Sequence, residues 1–304
     1  MGSVISGLLP VFILIFLGTA LRRFFFRDEG FWRPLEQLTY YVLFPSLLVS
    51  QISGATVDWV RAGPVLAVLT GALCLIALFL LVVRKPVGTD GPAFTSVFQG
   101  ALRFNSYVGL SAAAVLHGAE GIAFLSVIMA FMIPLINLFC VSALTRYACS
   151  ATPSPGSFFR DLGLNPLILG SLIGLTLSLA RLPPPPLVAQ TLDILGRTSL
   201  PLGLLTVGAG LSRSALTTAG GAMISSAGLK LVAFPLIGWA GSRLLGLDQL
   251  ATSMVLIFAG LPTATSAFIL ARCMGGDYRL MAGIITTQTV AAAVTLPLVL
   301  ALLK

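Results

Sequence analysis

Charged side chains are scarce in this chain: ten Asp and Glu and eighteen Lys and Arg among 304 residues, or 9%. A soluble domain carries roughly a quarter. That shortage, with 57% hydrophobic residues and a mean hydropathy of +1.01, excludes a water-soluble globule and implies an integral membrane protein. The single histidine and the four cysteines, Cys74, Cys140, Cys149 and Cys273, have no ligand spacing, so neither a zinc site nor a disulfide framework is expected. No nucleophile–base constellation or phosphate-cradling loop occurs, so neither an enzyme nor a cofactor is expected. The formal charge of +8 lacks a basic stripe with interleaved aromatics, which argues against nucleic acid. Strand-like alternation is missing, which argues against a barrel. The first charges, Arg22 and Arg23, follow the first apolar run instead of preceding it, unlike a cleavable signal.

What is abundant is long apolar runs. About 20 apolar residues cross a bilayer, and ten such spans are predicted near 4–25, 34–54, 62–83, 93–117, 121–145, 164–181, 190–212, 217–242, 249–273 and 279–303. Alternate connections collect Arg22, Arg23, Arg27, Arg33, Arg84, Lys85, Arg146, Arg160, Arg213 and Arg279 on one side. Only Arg61, Arg181, Arg243 and Lys304 fall on the other. The richer side reads as cytoplasmic, which places both termini outside a plasma membrane. Pro153, Pro155 and Gly156 mark a cytoplasmic linker, and Pro183 to Pro186 a stiff outer connector.

The halves repeat. A shift of 156 aligns Pro10 with Pro166, Gly18 with Gly174 and Pro45 with Pro201; a shift of 157 aligns Gly118 with Gly275 and Glu120 with Asp277. The last pair predicts acidic caps where spans five and ten begin. Residues 1–147 form a first five-span repeat, 148–163 the linker and 164–304 a second. Five is odd, so the second repeat is inverted, a construction that places a carrier's substrate near midmembrane. The expected fold class is thus all-α: ten transmembrane helices in two inverted five-helix repeats.

Spans four and nine are interrupted at corresponding points, one at Arg103-Phe104-Asn105-Ser106-Tyr107-Val108-Gly109 and the other at Ala259-Gly260-Leu261-Pro262-Thr263-Ala264-Thr265-Ser266. Backbone that leaves the helical ladder at this depth must be buried in protein or line a watery cavity. Pro262 removes a donor and clashes one turn back, and Gly109 permits unusual dihedrals. Half-helix N-termini aimed at such a crossing suit an anion; two ordinary kinked helices are the plainer alternative.

Arg103, Lys230 and, nearer the outer face, Arg197 lie deep, whereas Glu36 and Asp193 lie within about a turn of their span ends. Bases without deep acids favour an anion. Arg103 either grips a carboxylate bidentately or caps freed carbonyls. Lys230 either faces the site or bridges carbonyls. Asn137 in span five and Gln288 in span ten, beside Thr286, Thr287 and Thr289, flank the crossing or make interhelix bonds. His117 reads as a solvated outer helix end. The candidate substrate-binding set is Arg103, Asn105, Ser106, Tyr107, Gly109, Asn137, Pro262, Thr263, Thr265, Ser266, Lys230 and Gln288.

The stretches RFNSYVGLSAAAVLHGAEGIAFLSVIMAFMIPLIN, YYVLFPSLLVSQIS, LKLVAFP and AGLPTATSAFILARCMGGD together resemble the auxin efflux carrier family, which includes bacterial malonate and malate permeases and the plant PIN-type auxin exporters. The resemblance covers nearly the whole chain. It implies that spans one, two, six and seven form a scaffold, that spans three to five and eight to ten form a mobile transport domain, and that a homodimer through the scaffold works as an elevator. It also implies a crossover asparagine at Asn105, a crossover proline at Pro262 and a site asparagine at Asn137. Phe104 stands where plant members have proline, and their long cytoplasmic loop is missing, which favours the bacterial branch. The expectation is a plasma-membrane carrier of a small organic anion, a mono- or dicarboxylate. The rivals are a proton- or sodium-coupled carrier of crossing-helix fold and a membrane sensor that moves nothing.

Overall fold

A computed structural model describes residues 2–53, 59–87, 90–148, 166–211 and 220–303. The linker residues 149–163, with Arg213 and Lys304, lie outside the described residues. Among those described, the regular structure is entirely helical. The helices are α1 (Gly2–Phe24), α2 (Glu29–Leu38), α3 (Phe44–Ser53), α4 (Trp59–Val87), α5 (Gly91–Leu102), α6 (Ser106–Tyr147), α7 (Pro166–Leu179), α8 (Pro186–Ala209), α9 (Gly221–Gly228), α10 (Phe234–Leu244), α11 (Gln249–Gly260), α12 (Ser266–Cys273) and α13 (Tyr278–Leu300). Four stretches, Val60–Arg84, Gly91–Tyr147, Gly221–Leu244 and Tyr278–Leu303, are long and apolar enough to cross a membrane.

Proline chemistry explains two irregularities. Wide π turns at Thr39–Leu43 and Leu229–Ala233 each run directly into a Phe-Pro pair, Phe44-Pro45 and Phe234-Pro235. The proline ring collides with the carbonyl four residues back, and the widened turn makes room for it. Helix α2 begins at Glu29, earlier than the predicted start at 34, capped by Asp28, and the helical phase changes at the π turn before α3.

Helices α1, α3, α7 and α8 pack together through small residues. A Cβ added at Gly208 would stand 1.7 Å from the Ile15 carbonyl oxygen, and one at Gly18 would stand 2.1 Å from that of Leu205. Backbone thus lies directly on backbone, as apolar helices need when no hydrophobic effect drives them together. Thr19 Oγ1 and Arg22 Nη1 donate to the Gly208 and Ala209 carbonyls at 2.8 and 2.7 Å, satisfying the end of α8. Gly208→Ala should lower thermal stability in detergent by about 1–3 kcal/mol through overpacking. Gly71→Ala, whose added Cβ would meet nothing within 4 Å, should leave it within about 0.5 kcal/mol.

Helices α4, α5, α6, α10, α11 and α13 form a second packed group. Its two arms are built alike. Asp90 caps α5 through the Ala93 N–H at 2.7 Å, and Asp248 caps α11 through the Ala251 N–H at 2.8 Å. Each helix runs 12 residues and then breaks. Asp277 caps α13 as expected, accepting from the Arg279 and Leu280 N–H groups at 3.1 and 3.0 Å. Glu120 stands just past a break: Gly118 is non-helical (φ 60°, ψ −144°) and two helices meet there, so Glu120 lies at the start of the second. Its carboxylate pairs with Arg61 at 3.8 Å.

Candidate functional site

The first break opens where Arg103 turns extended (φ −70°, ψ 159°), its own N–H still bonded to Gln99 O at 2.8 Å. Asn105 restarts the helix: its Oδ1 accepts from the Tyr107 and Val108 N–H groups at 3.1 and 3.2 Å, a cap for α6. The second break opens at Leu261 (φ −66°, ψ 141°), because the residue before a proline is pushed out of the helical region. The breaks meet. The Asn105 N–H donates to the Pro262 carbonyl at 2.8 Å.

Gln288 of α13 holds the crossing from behind. Its Oε1 accepts from the Thr263 N–H at 2.9 Å, while Nε2 donates to the Gly100 carbonyl at 3.0 Å and Ser226 Oγ at 3.2 Å. One fully buried amide thus satisfies backbone freed in both arms, as a buried polar group must be satisfied where no solvent reaches.

In front of the crossing lies a cleft of roughly 60 Å³, bounded by Asn105, Ser106 and Tyr107 from one arm, Ala264, Thr265 and Ser266 from the other, and Glu36 of α2, Tyr40 of the π turn and Phe44 of α3. At about 10–15 Å³ per water centre, it has room for a few waters or a small solute. The first residues of α6 and α12, Ser106 and Ser266, both face it, so the positive ends of two helices border one space. Asn105 is 1% exposed, and its Nδ2 has no partner among the described residues. The Tyr107 ring meets Phe44 edge-on at 4.7 Å and lies so close to Gly203 that a Cβ there would come within 2.2 Å of Cδ1.

The chain matches the family described as membrane transport protein over residues 3–300, nearly its whole length. It belongs to the auxin efflux carrier family of membrane transport proteins. Members of this family are transporters, so the chain is a membrane-embedded transport protein. No curated protein matches this carrier.

Of the candidate residues in the carrier, Asn105, Ser106, Tyr107, Thr265 and Ser266 share the cleft. Pro262 and Thr263 are buried at the crossing, where they supply backbone to Asn105 and Gln288. Gly109 is an ordinary helical residue without a positive φ. It is glycine because a Cβ would press on Leu261 Cδ1 at 2.7 Å and Met129 Cε at 2.8 Å.

Neither deep base is among the residues that line this cleft. Arg103 Nη2 donates to Asn137 Oδ1 on α6. Lys230 is fully buried in the second π turn, with Nζ 4.3 Å from the Phe234 ring centroid and 5.8 Å from that of Phe258. The rings' negative faces attract the ammonium there. Arg197 is 79% exposed and pairs with Asp193 at 2.8 Å. His117 is half-buried, bonded to Ser253 Oγ at 2.6 Å, and is not simply a solvated helix end.

The expectation that no acid stands beside the crossing is also corrected, since Glu36 lines the cleft. Tyr40 and Phe44 are lining residues that the sequence pattern did not single out. The local signal beside them is the Phe44-Pro45 pair, which follows the π turn between α2 and α3.

Proposed function

We propose that this carrier moves a small carboxylate-bearing solute across the plasma membrane, seating the carboxylate between the N-termini of α6 and α12. The observation that carries the reading is the Asn105 N–H bond to the Pro262 carbonyl at 2.8 Å. It joins two broken helices so that the first residues of both, Ser106 and Ser266, line one cleft, the arrangement broken-helix carriers use for anionic groups. Ten spans in two inverted repeats, with both termini extracytoplasmic, fit the like-built arms ending at that bond. The packing of α1, α3, α7 and α8 supports a fixed scaffold of spans one, two, six and seven, against which the crossing group moves as an elevator; a homodimer through the scaffold completes the proposal.

Purified protein in liposomes should show saturable counterflow of a labelled short carboxylate above protein-free vesicles. Absence of counterflow for every carboxylate tried would overturn the reading. Glu36 in the cleft wall favours one second reading, coupling to a proton or sodium ion. An imposed pH or sodium gradient should then drive the solute uphill, and failure of both gradients removes it.

A further inference from the structure

The charge balance of the cleft narrows the solute, an inference that rests on the carboxylate reading above. The cleft is lined by Ser106 and Ser266, the first residues of α6 and α12 and so the positive ends of two helices, and by Asn105, whose buried Nδ2 has no partner among the described residues. The cleft is also lined by Glu36, the one lining residue with an ionisable carboxyl group, and by the rings of Tyr40 and Phe44, with the Tyr107 ring set edge-on to Phe44. Glu36 has no ion-pair partner among the described residues.

A simple carboxylate seated at Asn105 would share a cleft of roughly 60 Å³ with the Glu36 carboxyl group, while Arg103 and Lys230 have their partners elsewhere, at Asn137 and the Phe234 ring. An acid beside aromatic faces is instead the chemistry that recognises an ammonium group, through charge and through the ring quadrupoles. The lining thus asks for opposite charges at the two ends of one small molecule.

We propose that the solute is a small zwitterion of the amino acid class, with its carboxylate on Asn105 and the two helix N-termini and its ammonium on Glu36 and the aromatic rings. Such a solute cancels the like-charge repulsion an anion would meet. It also carries no net charge across the membrane.

The test is counterflow of labelled alanine into liposomes holding the full chain, with propionate, malonate and ethylamine as competitors; propionate and ethylamine each keep only one end of alanine. Unlabelled alanine should compete at least tenfold better than any of the three, and the exchange should be indifferent to an imposed membrane potential. Glu36→Gln should cut alanine exchange about tenfold and bring the alanine-to-propionate preference close to one, while Glu36→Asp keeps that preference. Faster exchange of propionate or malonate than of alanine, or an unchanged preference in Glu36→Gln, overturns the zwitterion proposal. If those acids exchange and Asn105→Asp blocks them, the carboxylate reading stands without it; if no acid of either kind exchanges, both fall.

Discussion

Gln288→Leu is expected to cost this carrier its folded transport core. Leucine is near the same size, so the loss is one of hydrogen bonds: the Thr263 N–H loses its acceptor, and the Gly100 carbonyl and Ser226 hydroxyl lose their donor. Two orphaned backbone groups at about 1–3 kcal/mol each amount to roughly 2–6 kcal/mol, a large share of a typical stability. The fall in Tm in detergent should be on the order of 10 °C. Monodisperse yield should drop with it, and uptake should be lost because the two breaks no longer hold their register. A Gln288→Leu protein with the wild-type Tm would show that the crossing holds itself together without the amide.

The second large effect separates folding from recognition at one residue. Asn105 uses Oδ1 to cap α6 and leaves Nδ2 unpartnered beside the cleft. Asn105→Ala removes both functions, with about 1 kcal/mol lost from the cap alone. Asn105→Asp keeps the cap, since aspartate is as good at that position and its charge suits a helix N-terminus. It nevertheless replaces the donor with a second carboxylate oxygen, which would face the carboxylate of the proposed solute. The expected result is a Tm close to wild type with uptake down at least about 100-fold, a loss of roughly 2.8 kcal/mol in apparent binding. Wild-type uptake by Asn105→Asp would remove Nδ2 from the account.

Chemistry local to the chain is legible in the residues themselves. Pro262 must end a helix and Asn105 is suited to restart one, so both breaks fall where these residues place them. The Asp277 cap is readable for the same reason. What the sequence hides is which way a side chain leaves its helix. Arg103 has a deep position, but its guanidinium donates to Asn137 on α6, and Arg103 is not among the residues that line the cleft. Lys230 lies on the π turn before Phe234, whose ring receives its ammonium. The π turn at Thr39–Leu43 shifts the helical phase between α2 and α3, and Glu36, an apparent span end in the sequence, lines the site. Gln288 is visible in the sequence as a polar residue at depth. Its role as a clamp needs Gly100 and Thr263, which lie 188 and 25 positions away, brought to either end of one amide.

The central claim is that both helix breaks border a single binding site. Ser106→Cys and Ser266→Cys, placed singly in a chain whose four native cysteines have been replaced, test it most directly through thiol labelling in liposomes with and without a transported carboxylate. One site predicts that the same solute slows labelling at both positions with the same half-maximal concentration, and that Asn105→Asp abolishes the protection at both. Protection at one position alone, or at neither while transport continues, would contradict a shared site at the crossing.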